Sequence, residues 1–331
     1  MEKEYSFSLA EIENSLFALK EKGVTELSVH DKALSGDKRR IISMIKRVGA
    51  EYPELFLSIL INSDAVDRDL VSAAAQIFCS LEIPLLCVQK GGKLLFDKKK
   101  YASKARLLNQ SEIVFGFQLL YADNPADSLK FFMERLDFAV QQYPNHLDFP
   151  QTEGAADGPA EGAVVSGTFS AKEIRYARDI AFAARTFYSA GRAVPWFLSV
   201  LRPLRIHPSR FFADFAEWQR CNNCDFRSGF SPESENHKSL EKMQLLFLEQ
   251  KYEEKNCPQI FPAVRDVVCL NGALARLAGE GEVSVVQTSY HPDDILSPES
   301  ADLQAFSDNV CMENCRVKVF SDGENPDYIV E

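Results

Sequence analysis

Over its first 150 residues the chain alternates short apolar runs with helical stretches, and nothing else in the sequence limits the fold as much. The runs are "TELSV", "LFLSILIN", "IPLLCV", "SEIVFGFQLL" and "NHLDF". Helical periodicity follows each of the first four, as in "DKRRIISMIKRVGA", "DRDLVSAAAQIFCSL", "KKKYASKARLLNQ" and "ADSLKFFMERLDFAVQQY". Strands joined through helices need crossover connections, so a parallel sheet is the economical arrangement. Their near-continuous apolar character predicts that both sheet faces are covered. An open doubly wound sheet and part of a (β/α) barrel both satisfy this pattern.

A helix precedes the first of these strands. Ser8 and Glu11 have the S-x-x-E spacing in which each side chain satisfies the other's orphan backbone donor, and Gly23 ends the helix. Residues 151–168, "QTEGAADGPAEGAVVSGT", read as a flexible linker rich in glycine, alanine and acid. Beyond it the pattern turns helical. A second S-x-x-E box, Ser170 and Glu173, opens a helix closed by Gly191, and further helices follow around "AVPWFLSVLRPL", "HPSRFFADFAEWQR", Leu240–Tyr252 and Ala263–Ala278. "EVSVVQTSY", "CRVKVF" and "DYIV" predict a small terminal β element. The expected division is therefore 1–150, a partial β/α barrel; 151–168, a linker; and 169–331, a helical domain with short terminal strands.

Composition narrows the function classes. The 331 residues carry a net charge of −11, which argues against a general binder of nucleic-acid backbone, because that needs a basic surface. The local run "FDKKKYASKAR" reads as the solvated face of a helix. No apolar run is long enough for a signal peptide or a membrane span. Eight cysteines scattered without a secretory signal predict reduced thiols and a cytoplasmic location.

The order and wording of these elements resemble the radical S-adenosylmethionine (radical SAM) superfamily, and most closely its cobalamin-dependent type, whose barrel is followed by an uncharacterised helical C-terminal region. "FSLAEIENSLFALKEKGVTELSVHD" is similar to the family's first barrel helix and second strand. "SLEIPLLCVQ" resembles the strand usually written L-E-x-G-x-Q-S. "SEIVFGFQLLYADNPADSLKFFMERLDFAVQQYPNHLDF" resembles the segment with G-L-P-x-E-[TD] followed by a helix ending in a P-N pair, and "VVSGTFSAKEIRYARDIAFAARTFYSAGR" the start of the C-terminal region. The likeness covers most of the chain through several weak matches in the correct order. It implies a partial barrel in which Asp31, Glu82, Gln89 and Gly116 match positions of a cofactor pocket at the strand ends, where such folds place ligands. Ordinary strand-end polarity explains the same residues equally well.

The departures from the family are as informative. Its iron–sulfur cluster sits on C-x-x-x-C-x-x-C after the first strand, because soft irons need thiolates; no such run occurs in these residues, and the upstream cobalamin-binding domain has no counterpart. Leu60 stands where relatives often carry an acid, Pro84 replaces the glycine of L-E-x-G, and "FQLLYADN" lacks the Pro-Glu of the turn. No radical SAM activity is expected from this chain alone.

Other residues suggest other chemistry. Cys221 and Cys224 have C-x-x-C spacing, and Cys311 and Cys315 C-x-x-x-C spacing, so together they could close a tetrahedral zinc site between the helices and the terminal strands; unrelated thiols are the plainer account. His291, in "SYHPDDIL", reads as a turn and helix cap more readily than as a ligand. Of His30 and Asp31, adjacent at a strand end, only one can face a barrel interior. The aromatic run "PWFLSVLRPLRIHPSRFFADFAEW" reads as helix core, and "QKGGKLLF" fits a turn better than a phosphate cradle.

The expectation is thus a cluster-less radical SAM-like protein acting by binding, needing no cofactor of its own apart from the zinc hypothesis. Two alternatives stand beside it. One is the C-terminal part of a cobalamin-type enzyme whose cluster and SAM come with a missing N-terminus or another chain. The other is a zinc-stabilised interaction module. A barrel lacking its first strand would leave an open edge, which predicts a protein partner or self-association there, and neither nucleic acid nor membrane as partner.

Overall fold

The computed structural model describes residues 9–152, 163–223, 229–321, 323 and 325–331. The chain divides into two units, one of residues 1–120 and 124–150, the other of 121–123 and 151–331.

In the first unit, α1 (Leu9–Glu21), β1 (Glu26–Val29), α2 (Lys38–Glu51), β2 (Phe56–Leu60), α3 (Arg68–Ala74) and β3 (Cys79–Pro84) alternate as expected. A hairpin of β4 (Val88–Lys90) and β5 (Lys93–Leu95) then intervenes before α4 (Lys98–Gln110), β6 (Val114–Gln118), α5 (Leu129–Val140) and β7 (His146–Asp148). The five long-range strands form one parallel sheet in the order β1-β2-β3-β6-β7, which is how a (β/α) barrel is wound, left open. Among the described residues nothing pairs with the outer side of β1. Ser8 lies outside the described residues, and with it the first capping box.

One expectation needs correction. The third strand is Cys79–Pro84 and not 83–88, and the helix before it stops at Ala74. The alanines of "LVSAAAQIF" favour helix locally, but β2 offers ladder partners to residues 79–82 and β6 to residues 80–84, and the strand paired on both sides at 80–82 wins. Both faces of the sheet are covered at its centre, as expected, but they differ in character. Leu57, Ile59, Leu81, Ile83, Phe115, Phe117 and Leu147 are buried on one face, while the alternate positions bring Ser58, Ser80, Glu82, Gly116 and His146 to the other.

The second unit is helical. Ser170 and Glu173 form the reciprocal capping box at the start of α6 (Ala171–Ala184), which continues as a π-helical turn, Arg185–Ala190. The widened turn leaves carbonyls for Gln244, whose Nε2 donates to Phe187 O at 2.7 Å and Gly191 O at 2.9 Å. α7 (Phe197–Leu204), α8 (Pro208–Asn222), α9 (His237–Glu254) and α10 (Phe261–Glu280) follow. Phe187 packs edge-on against Trp196, Phe211 and Phe215, so the aromatic run is core, as its spacing predicts. β8 (Ser284–Thr288), α11 (Pro292–Ile295), α12 (Leu303–Asn309), β9 (Cys315–Ser321) and β10 (Pro326–Val330) complete the chain, with the strands antiparallel in the order β10-β9-β8. His291 caps α11, its Nδ1 accepting from Asp293 N at 3.3 Å. Of the expected linker 151–168, residues 153–162 lie outside the described residues.

Candidate functional site

A polar row crosses the sheet through the last residue of β2, the interior of β3 and β6, and the first residue of β7. The parallel register aligns Leu60 of β2 with Glu82 of β3, Glu82 with Gly116 of β6, and Gly116 with His146 of β7. Residues in one row share a face, so Glu82 and His146 reach toward each other across the strand between them. They meet because that strand carries a glycine. A methyl group at Gly116 would overlap His146 Nε2 and lie 2.7 Å from Glu82 Oε2.

Glu82 is 5% exposed. Its Oε2 is 2.7 Å from His146 Nε2, and its Oε1 accepts from Ser80 Oγ at 2.7 Å and from Ser58 Oγ at 3.4 Å. Burial by itself would push this carboxyl up, but the hydrogen bond and charge of His146, with Ser80 and the charge of His30, hold it below the ordinary carboxylate value. His146 is half-buried. Burial disfavours its imidazolium, yet the Glu82 hydrogen bond and the charges of Glu82 and Asp148 outweigh that and hold it above the ordinary 6.5. Each partner thus favours the charged form of the other, and the positive partner is the more open to solvent.

The four residues expected at a pocket separate. Glu82 and Gly116 fall at the centre of the row. Asp31 instead turns the chain after β1, its Oδ1 accepting from Ala33 N at 2.7 Å and Leu34 N at 3.2 Å. Gln89 lies on β4, exposed and outside the five-stranded sheet. His30, not Asp31, is the strand-end residue close enough to bias Glu82. Leu60, buried in the same row, brings an apolar neighbour where an acid was the family's choice. His146 escapes sequence reasoning: a lone histidine in "NHLDF" has no motif, and only the glycine one strand away would have hinted at a side chain needing its space.

The cysteines give a looser picture. Cys221 is exposed near the C-terminal end of α8, Cys311 is exposed ahead of β9, and Cys315 is buried as the first residue of β9, with Sγ 3.2 Å from Glu313 O. Burial pushes the Cys315 thiol up, against the thiolate form that zinc needs. Cys224 lies outside the described residues. Among those described, no three His, Cys, Asp or Glu side chains gather as a metal site requires.

No protein-family model and no curated protein matches the chain. Solved structures offer a partial likeness to a radical S-adenosylmethionine methyltransferase, TsrM, from Kitasatospora setae. In the form with cobalamin and a [4Fe-4S] cluster bound, the match has 13% identity and a TM-score of 0.35, covering 43% of this chain and 28% of that one. With tryptophan substrate and a SAM analogue bound, the figures are 15%, 0.34, 43% and 30%. The matched part thus spans less than a third of the enzyme's length.

Proposed function

We propose that this chain is a binding protein on an open (β/α) frame, in which the row of Glu82, Gly116 and His146 receives a small polar ligand without transforming it. The carrying observation is the buried Glu82–His146 pair. A buried ion pair is a poor way to stabilise a sheet, since desolvation costs several kcal/mol per ion and apolar side chains would serve as well. Its exposure also supports a ligand role, because the imidazole of His146 is partly open to solvent while the carboxylate of Glu82 behind it is buried. Glu82 would accept from a cationic or N–H group, and His146, the more exposed partner, would donate to an anionic one. The sequence resemblance makes S-adenosylmethionine, an ammonium carboxylate, the first ligand to try.

Isothermal titration of the full chain with S-adenosylmethionine, and then with its demethylated product, tests this reading. The expectation is saturable binding that weakens at least tenfold in Glu82→Gln. Equal binding by the variant would remove the row from the site. A second reading makes the chain one part of a radical SAM enzyme, the cluster being held elsewhere; it rests on the same polar row. Reductive cleavage of S-adenosylmethionine that appears when the chain is mixed with reductant and a separate polypeptide carrying a C-x-x-x-C-x-x-C cluster, and with neither protein alone, would establish the second reading over the first. We also propose the outer side of β1 as an interface, because an unpaired strand invites a further strand; a monomer at all concentrations in sedimentation would argue against self-association there.

A further inference from the structure

The β4–β5 hairpin is the one insertion in the strand–helix alternation, and neither the sheet nor the polar row uses it. It is a two-stranded sheet of its own. The register pairs Val88 with Leu95 and Lys90 with Lys93, so these four side chains share one face, and Gln89 and Leu94 the other. The turn is Gly91-Gly92, both at positive φ (58° and 75°), as a tight two-residue hairpin turn requires.

That first face is both apolar and basic. Val88 is 68% exposed and Leu95 51%, and Leu86 beside them is also exposed. These three, with Phe96, Lys100 and the acids Asp64 and Asp97, line a groove of about 400 Å³. Charge is concentrated here too: five lysines against one aspartate lie between Val88 and Lys100, in a chain whose net charge is −11. Lys100 pairs with Asp64 at 2.6 Å, but Lys90, Lys93, Lys98 and Lys99 make no ion pair among the described residues. Three of the lysines occupy the first turn of α4, where the helix dipole disfavours cations; Asp97 caps that turn and Asp64 holds Lys100, which leaves Lys98 and Lys99 without an ion pair among the described residues. An isolated hairpin is only marginally stable in water, and this one exposes its apolar pair. Local stability explains neither the lysines nor the bare valine and leucine.

We infer that the hairpin face is a docking surface for an acidic protein segment in extended conformation, with apolar side chains alternating with carboxylates. Among the described residues no strand pairs with either outer edge of the hairpin, so a strand could add there, Val88 and Leu95 would take the apolar side chains, and the lysines the carboxylates. A second copy of the same face is disfavoured because it would bring like charges together. Nucleic acid is a weaker match, since the rings in the groove wall are already engaged: half-buried Phe96 stacks on Tyr101, which is buried with its hydroxyl between Pro84 O and Leu86 N.

Fluorescence anisotropy of the full chain with labelled probes tests this inference. The probes are a ten-residue peptide alternating Glu with Val, a Glu–Ser peptide of the same charge, and single-stranded oligonucleotide. The Glu–Val peptide should bind, at least tenfold tighter than Glu–Ser, and Lys90→Glu with Lys93→Glu should weaken it at least tenfold. Val88→Ser with Leu95→Ser should bring its affinity down to that of Glu–Ser. These positions are exposed, and an unchanged melting curve would confirm that each variant folds. No binding of the Glu–Val peptide, equal binding of Glu–Ser, indifference to the variants, or tighter binding of the oligonucleotide would each overturn the inference. It is independent of the polar row, and Glu82→Gln should leave peptide binding unchanged.

Discussion

Each unit contains a buried carboxylate held against a cation in space left by a glycine, and the two clusters behave in opposite ways. In the sheet, Gly116 lets His146 reach Glu82. In the helical unit, Gly272 of α10 leaves room for Glu241 of α9, whose Oε2 accepts from Arg276 Nη1 at 2.6 Å. Arginine is the stronger and permanent cation, yet Glu241 is pushed up by burial and by nearby Glu282, whereas Glu82 is held down. The difference lies in the remaining donors. Glu82 also takes two serine hydroxyls, while Arg276 Nη1 is shared with His237 Nδ1 at 3.0 Å. A carboxylate's state is set by the whole count of donors and by second acids, not by the nominal strength of one partner. The lesson for function is that the helical cluster is fixed by a guanidinium that keeps its proton, and the sheet cluster can lose its charge with His146.

His146→Ala should show the largest effect. It strands a buried carboxylate and should cost about 3–5 kcal/mol in urea unfolding; a loss below about 1 kcal/mol would mean that Glu82 does not depend on its partner. Gly272→Ala comes next and has a sign to check. In an ordinary helix interior it would gain up to about 1 kcal/mol, but here the methyl overlaps Glu241 Oε2, and a net loss of about 2 kcal/mol is expected from overpacking. A gain would show that the helical cluster is loosely held, and the comparison would break.

The pH response sharpens the contrast. The raised His146 contributes fully below its ordinary 6.5, and its contribution is lost as pH rises through the folded value. The lowered Glu82 contributes fully above its ordinary 4.5, and that is lost as pH falls through the folded value. The pair is thus at full strength between those two ordinary values. His237 works the other way: burial and the charges of Arg192 and Arg276 push it down to about 4, so it destabilises as pH drops below 6.5. In Glu82→Gln, the NMR titration of His146 should move down, and the decline of stability above pH 6.5, at most about 1.4 kcal/mol per pH unit for one proton, should flatten. An unmoved His146 midpoint would separate the two residues. Smallest and simplest is Ser170→Ala, outside both clusters, which should cost about 1 kcal/mol through the lost cap and leave the His146 midpoint where it was.

Much of this architecture was legible because it depends on neighbours in sequence. The Ser170–Glu173 box, the Gly91-Gly92 turn, the His291 cap and the apolar strand cores each need only a few consecutive residues, and each appears where its local chemistry puts it. The third strand was misplaced for the same reason: local helix preference around Ala73–Ala75 gave no sign that residues 79–84 would pair with β2 and β6, residues 80–82 with both. The candidate site was half legible. Glu82 and Gly116 could be marked from the wording of their strands, but His146 could not, and Gln89 belongs to a hairpin that interrupts the expected alternation.

By itself the sequence determined the parallel β/α half, the helical half with its short terminal strands, and the ends of several helices, because periodicity and capping act within one or two turns. Only the tertiary structure decided that Leu60, Glu82, Gly116 and His146 share one row. Register between parallel strands is set by contacts tens of residues apart, and a shift of one residue would turn Glu82 to the opposite face. The chemistry of this protein depends on that register more than on any single motif.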